Sequence, residues 1–178
     1  MQPKVSANSG IVRVLNNDDG SFVALGSDGL VLKVVLSCNS SGLMPNNSPE
    51  MLVDRETMAL MILSGLQGVQ EFVERVSPTS FKSAYIDGVT LKEHGPGLPS
   101  HYFDEVLSII SSCEDKGVYR LGLNRHNFMV TPELRPVLLD FGNVLFKNDN
   151  PAKSCLLLNH AVSSSRSRIE MLRKEYVK

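Results

Sequence analysis

Four side chains in this sequence carry chemistry that belongs together. Asp140 opens the tripeptide Asp140-Phe141-Gly142, directly after the apolar run Val137-Leu138-Leu139. Asn127 stands 13 residues earlier. Lys33 interrupts the otherwise apolar segment Leu30 to Leu36, and Glu56 lies within the Met- and Leu-rich segment Glu50 to Leu63. A carboxylate and an amide oxygen are hard ligands suited to Mg²⁺. A lysine on a rigid strand can contact phosphate, and a helix glutamate can orient that lysine by pairing with it. Gly142 lets the backbone turn sharply after the carboxylate. A given tripeptide arises by chance about 2 times in 100 in a chain of this length. The order of the four residues, rather than the tripeptide, carries the weight.

The elements that must position these groups follow from pattern. Ile11–Leu15, Phe22–Leu25 and Leu30–Leu36 read as three strands, with turns at Asn16–Ser21 and at Gly26-Ser27-Asp28-Gly29. The polar stretch Cys38–Ser48 reads as a loop. A helix follows: Ser48 can cap it, Pro49 suits its first turn, and Glu50 suits the positive end of its dipole. Gln70–Val76 and Ser80–Ile86 read as two more strands joined at Ser77-Pro78-Thr79. Thr90–Pro99 reads as a connector. A second helix is expected from an N-cap at Ser100 to near Gly117, with Val106, Leu107, Ile109 and Ile110 buried. Val118–Asn127 reads as a loop, Phe128–Val130 and Val137–Leu139 as a strand pair, and the tail after Pro151 as helical. Met58 and Met61 are expected in the core. Arg166, Arg168, Arg173 and Lys174 are expected on a solvated helix face.

Strand Lys, helix Glu, loop Asn and post-strand Asp, in that order, resemble the parts of a protein-kinase-like fold. The stretch Leu123-Asn124-Arg125-His126-Asn127-Phe128-Met129-Val130, followed by Val137–Asn143, resembles the loop-and-strand block of the lipopolysaccharide-kinase (Kdo/RIO-like) group and of short fungal and bacterial-effector kinase-like proteins. The similarity spans roughly Leu30 to Val144, and the Asn127–Asp140 block is its specific part. The resemblance implies an α+β, two-lobed fold: a five-stranded antiparallel N-lobe sheet with one helix, about residues 1–87, and a truncated, mainly helical C-lobe, about 88–178. It implies ATP and Mg²⁺ as cofactors. Lys33 would contact the α and β phosphates with Glu56 orienting it, and Asn127 and Asp140 would hold the metal. Tyr85-Ile86-Asp87-Gly88 would form the hinge, with backbone groups at Tyr85 and Asp87 on adenine, and Val31 and Leu32 lining its pocket.

Two departures qualify the match. The family's catalytic loop reads His-x-Asp-Leu-x-x-x-Asn. Here the Asp position is Gly122 and the His position is Arg120. Glycine cannot accept a hydroxyl proton, and such a base contributes about 10²–10⁴-fold. Positioning and metal effects would still permit slow transfer. The expected glycine-rich phosphate loop is Asn16–Ser21, which holds one Gly and two acids, Asp18 and Asp19. Turn chemistry favours a solvated hairpin tip for that pair. After Gly142 the chain continues only from Asn143 to Lys178, without Ala-Pro-Glu.

The rival readings are plain ones. Lys33 could be an edge-strand charge that blocks sheet-to-sheet association. Asn127 could bond only loop backbone, and Asp140 could be a turn former. Each is disfavoured by the company of the others. His126 stands next to Asn127 but is a poor replacement base, because its place faces phosphate or surface rather than an acceptor hydroxyl.

Composition sets bounds. In 178 residues, 42% hydrophobic and 21% charged, bulk disorder is excluded. Lys plus Arg number 18 against 19 Asp plus Glu, so the net charge is −1 and no global basic field for nucleic acid exists. No run approaches the roughly 18 apolar residues of a membrane span. Cys38, Cys113 and Cys155 are odd in number and form no CxxC pair, which argues against a disulfide framework or zinc knuckle. Asn39 and Asn46 head glycosylation tripeptides that read as chance. The N-terminus does not read as a secretory signal, so the expected setting is cytoplasmic or otherwise intracellular, including an effector inside a host cell. The expected function is an ATP/Mg-dependent phosphotransferase to a hydroxyl acceptor, protein Ser/Thr first, impaired at its base. The alternative is an inactive pseudokinase that binds a protein partner.

Overall fold

A computed structural model describes residues 10–18, 20–37, 48–120, 123–147 and 154–177, with backbone only at 120 and 154–157. Asp19, Cys38, Asn39, Asn46 and Gly122 lie outside the described residues, as does the Cys155 side chain.

Contacts divide the chain into two units: Met1–Val53 with Val73–Tyr85, and Asp54–Phe72 with Ile86–Lys178. The first holds a five-stranded sheet built from β1 (Ile11–Asn17), β2 (Ser21–Gly26), β3 (Leu30–Val35), β4 (Phe72–Ser77) and β5 (Ser80–Ala84) in the order β1-β2-β3-β5-β4. Turns at Asn16–Ser21 and Asp28-Gly29 make β1-β2-β3 a meander, and the Ser77-Pro78-Thr79 turn joins β4 to β5, which pairs with β3 across a longer connection. β3 is the central strand, which rules out the edge-strand reading of Lys33. Lys33 stands opposite Val23 on one side and Phe81 on the other. Its ammonium lies 6.0 Å from the Phe81 ring centre.

Strand alternation separates the two residues expected at adenine. Val31 shares the Lys33 face and is buried, whereas Leu32 points to the opposite face. There it lines a pocket of about 130 Å³ with Ala24, Asp28 and Lys82. At the first hairpin the Asp18 carboxylate accepts from Asn16 Nδ2 at 3.0 Å, Gly20 N at 2.9 Å and Ser21 N at 2.7 Å. These bonds, the Asn16 amide foremost, hold its pKa below the usual carboxylate range. Asp18 therefore closes the turn on itself, as turn chemistry predicts.

α1 (Pro49–Ile62) starts in the first unit and runs into the second. Ser48 caps it, its hydroxyl accepting from Met51 N at 3.3 Å. The second unit adds β6 (Val89–Thr90), α2 (Leu91–His94), α3 (Ser100–Asp115), β7 (Val118–Arg120), β8 (Phe128–Val130), β9 (Pro136–Leu138), β10 (Val144–Phe146) and α4 (Ser154–Tyr176). β6, β8 and β9 form one small sheet, and β10 pairs with β7. Its core is Tyr102, Phe103, Val106, Ile110, Phe128, Leu138, Phe141, Ile169 and Leu172, all 2% exposed or less. Full burial of such side chains contributes about 1.5–3 kcal/mol each. The Tyr102 hydroxyl donates to the Met129 carbonyl at 3.1 Å, so its burial among apolar rings leaves no orphaned donor. Gly88, at φ 153°, passes so close to β8 that a Cβ there would lie 2.5 Å from the Val130 carbonyl oxygen. Only glycine permits that approach.

Several expectations are corrected. The connector Thr90–Pro99 contains α2, held by a capping box in which Thr90 and Glu93 bond each other's backbone. α3 has Pro99, not Ser100, as its N-cap, without a side-chain bond. Leu107 is half-buried rather than buried. The loop Val118–Asn127 begins with β7, whose partner β10 lies beyond Gly142. Met58 and Met61 are 51% and 54% exposed, outside the core. Arg168 and Arg173 are half-buried: Arg168 Nε donates to the Leu123 carbonyl at 3.1 Å, and Arg173 pairs with Asp104.

The architecture is protein-kinase-like: a five-stranded antiparallel sheet with a helix, and a mainly helical second unit. Among the described residues no helix is long and apolar enough to cross a membrane.

Candidate functional site

The β8–β9 hairpin explains why a separation of 13 residues brings Asn127 and Asp140 together. Phe128 stands opposite Leu138 and Val130 opposite Pro136. One step beyond this register, Leu139 N donates to the Asn127 carbonyl at 2.9 Å. The next residue, Asp140, thus emerges beside Asn127 at the hairpin's open end. Asn127 Nδ2 donates to Asp140 Oδ2 at 3.3 Å. That leaves the amide oxygen of Asn127 as its atom for a ligand. Both side chains are half-buried, reachable from solvent yet fixed by backbone.

Asp140 sits at φ 57°, in the left-handed region that few non-glycine residues adopt. The residue's local environment offsets this strain. Gly142 N lies 3.4 Å from Asp140 Oδ1, and the Phe141 ring is fully buried. Strain of this kind, about 1–3 kcal/mol, concentrates where a side chain must be aimed.

Glu56 reaches the same tripeptide from α1. Glu56 is 2% exposed, and Phe141 N donates to its Oε1 at 3.3 Å. A Cβ on Gly142 would approach Glu56 Oε2 to 3.7 Å, which is ordinary contact. Arg55, the preceding residue, adds a contact that sequence reasoning missed. Its Nη2 donates to the Val144 carbonyl at 2.9 Å, and its guanidinium stands 5.3 Å from the Phe146 ring centre. Successive residues of one helix thus grip both ends of the segment Phe141–Phe146. No sequence signal marks Arg55, because its partners depend on the β7–β10 pairing.

The remaining candidates lie as follows. Lys33 and Val31 belong to the sheet unit, on one strand face. Tyr85, at the end of that unit, accepts a hydrogen bond on its hydroxyl from Arg13 Nη2 at 3.0 Å. Asp87 is exposed and belongs to the second unit. His126 is exposed, its backbone N–H donating to Asn124 Oδ1 at 2.8 Å.

The donor chemistry fits a magnesium ion. One carboxylate and one amide oxygen supply two hard ligands, and Mg²⁺ ordinarily completes its shell with water and phosphate oxygens. No protein-family model matches the chain, and no curated protein matches it.

Proposed function

We propose that this chain is a kinase-like nucleotide-binding protein, an ATP/Mg-dependent phosphotransferase to a hydroxyl acceptor, protein Ser/Thr first, whose catalytic base is missing at Gly122. The observation that carries this reading is the Asn127–Asp140 contact at the open end of the β8–β9 hairpin, with Glu56 bonded to the next backbone amide. The proposed lobes are residues 1–87 and 88–178, and the branch is the small Kdo/RIO-like one.

In this reading Asn127 and Asp140 hold Mg²⁺, which supplies charge neutralisation at the phosphates. Lys33 contacts the α and β phosphates, and Glu56 orients it. Val31 contacts adenine, as do backbone groups at Tyr85 and Asp87. Without a carboxylate at Gly122, no group takes the acceptor proton, so transfer is slow or absent. The test is Gly122→Asp: phosphate transfer to a Ser/Thr peptide should rise by about 10²–10⁴-fold. An inert variant that still binds Mg-ATP would defeat the base-loss explanation.

One observation favours a second reading, a pseudokinase that binds a protein partner. α1 exposes Met51, Met58, Met61 and Ile62, between 39% and 54% each, a run of flexible apolar side chains. Partner capture that survives Asp140→Asn would support it. Loss of capture in that variant, still folded, would return the role to the nucleotide.

A further inference from the structure

Asn127 enters β8 from a tight turn. Asn127 N donates to the Asn124 carbonyl at 3.0 Å, and His126 N donates to Asn124 Oδ1 at 2.8 Å. From the other side, Leu139 N holds the Asn127 carbonyl at 2.9 Å. The hairpin thus sets one flank of Asn127, and the turn sets the other. The groups that hold the turn lie outside it, all within the second unit. Lys92 N, in α2, donates to the Arg125 carbonyl at 3.1 Å. α4 supplies Arg168, whose Nε donates to the Leu123 carbonyl at 3.1 Å across 45 residues of sequence. α4 also supplies Glu175, whose carboxylate lies 3.4 Å from Arg125 Nη1.

The two α4 contacts are unequal. Arg125 and Glu175 are both exposed, and an exposed ion pair contributes little. Leu123 is 4% exposed and Arg168 is half-buried, so a cationic donor serves this carbonyl where little water reaches. Such charge-assisted bonds are the stronger kind. Ile169 and Leu172 are buried beside Arg168 and fix that stretch of α4 in the core. A metal ligand needs its oxygen held before the ion arrives, and groups behind the ligand commonly do this. We infer that Arg168 is a positioning residue for the metal site: by anchoring the Leu123 carbonyl it fixes the turn that aims the Asn127 amide oxygen at Mg²⁺. Arg168 touches neither metal nor nucleotide in this role. The inference rests on the Asn127–Asp140 metal reading and adds α4 to it.

The experiment titrates ATP into the full chain by calorimetry at a series of Mg²⁺ concentrations, for wild type, Arg168→Gln, Arg168→Lys and Glu175→Gln. Arg168→Gln should need about 10- to 100-fold more Mg²⁺ for half-maximal ATP binding, the usual cost of removing a group that orients a metal ligand. Its ATP binding without Mg²⁺ should be unchanged, a split that a merely structural role would not produce. Arg168→Lys keeps a cationic donor and should recover part of the loss. Glu175→Gln should match wild type. If Arg168→Gln fails to fold, the wild-type protein decides: the Arg168 Nε–H NMR signal should shift with Mg-ATP and not with ATP alone. A wild-type Mg²⁺ requirement in folded Arg168→Gln, an equal loss with and without Mg²⁺, or an Nε–H signal indifferent to Mg-ATP would each overturn the inference while leaving the metal reading in place. ATP binding by wild type that ignores Mg²⁺ would instead remove the metal reading, and this inference with it.

Discussion

Asn127 Nδ2 meets Asp140 Oδ2 at 3.3 Å because a short antiparallel hairpin folds the two ends of its sequence block together. The contact follows from strand register, so the pair exists before any ligand arrives. Asp140→Asn is the informative change, since Asn tolerates the left-handed backbone at φ 57°. It should keep the fold and weaken Mg²⁺-dependent ATP binding about 10-fold or more, by removing the one charged ligand. Calorimetry with the variant would show this. Unchanged metal dependence would remove Asp140 from the site.

Glu56 is the buried acceptor for Phe141 N. Glu56→Ala should cost about 1–3 kcal/mol by stranding that donor, and Glu56→Gln should recover much of it. Urea unfolding of the two variants reads the difference. Equal losses in both would show that the carboxylate charge, not the acceptor oxygen, is what matters.

Gly88→Ala sets a side chain 2.5 Å from the Val130 carbonyl oxygen at a backbone angle of φ 153°. The expected loss is about 2–4 kcal/mol from strain and displacement together. A shift in unfolding midpoint below about 0.5 kcal/mol would mean that β6 and β8 separate freely.

Met58 and Met61 are more than half exposed. Met58→Ser and Met61→Ser should each change stability by no more than about 0.5 kcal/mol. Replacing a core methionine by a small residue costs about 2–5 kcal/mol. Thermal unfolding in the core range would show that something covers this face of α1.

Two carboxylate caps tie the fold to pH. Asp18 is held low first by the Asn16 amide, and Glu93 first by its bond from the Thr90 backbone. A depressed folded pKa gives stability that is complete above the unfolded value and lost as pH falls through the folded one. The first hairpin and α2 should therefore loosen below about pH 4. Amide exchange at Ser21 and Thr90 should rise there first, and Asp18→Asn should flatten the response at Ser21. A flat wild-type profile would contradict both caps.

Local pattern carried much of this architecture. The meander, α1 and the β8–β9 hairpin are each announced by residues within a few positions, such as Asp28-Gly29 and Ser48-Pro49. β7 and β10 escaped because each is three residues long and gains its identity only from the other, across the Asp140 turn. α2 is different: Thr90 and Glu93 form a capping box at the right spacing, a signal that two neighbouring prolines and glycines obscured. Met58 and Met61 show the limit of composition, since α1 is apolar on more faces than it buries. Of the site, the Asn127–Asp140 pairing was legible in spacing, while the contacts of Arg55 with Val144 and Phe146 depend on a distant strand pairing that no local pattern encodes.

The most direct test of the central claim is a calorimetric titration of ATP into the unmodified protein, with and without Mg²⁺. Saturable binding that requires Mg²⁺ and weakens in Asp140→Asn is the expected result. No binding by the folded protein, or binding indifferent to Mg²⁺, would contradict it.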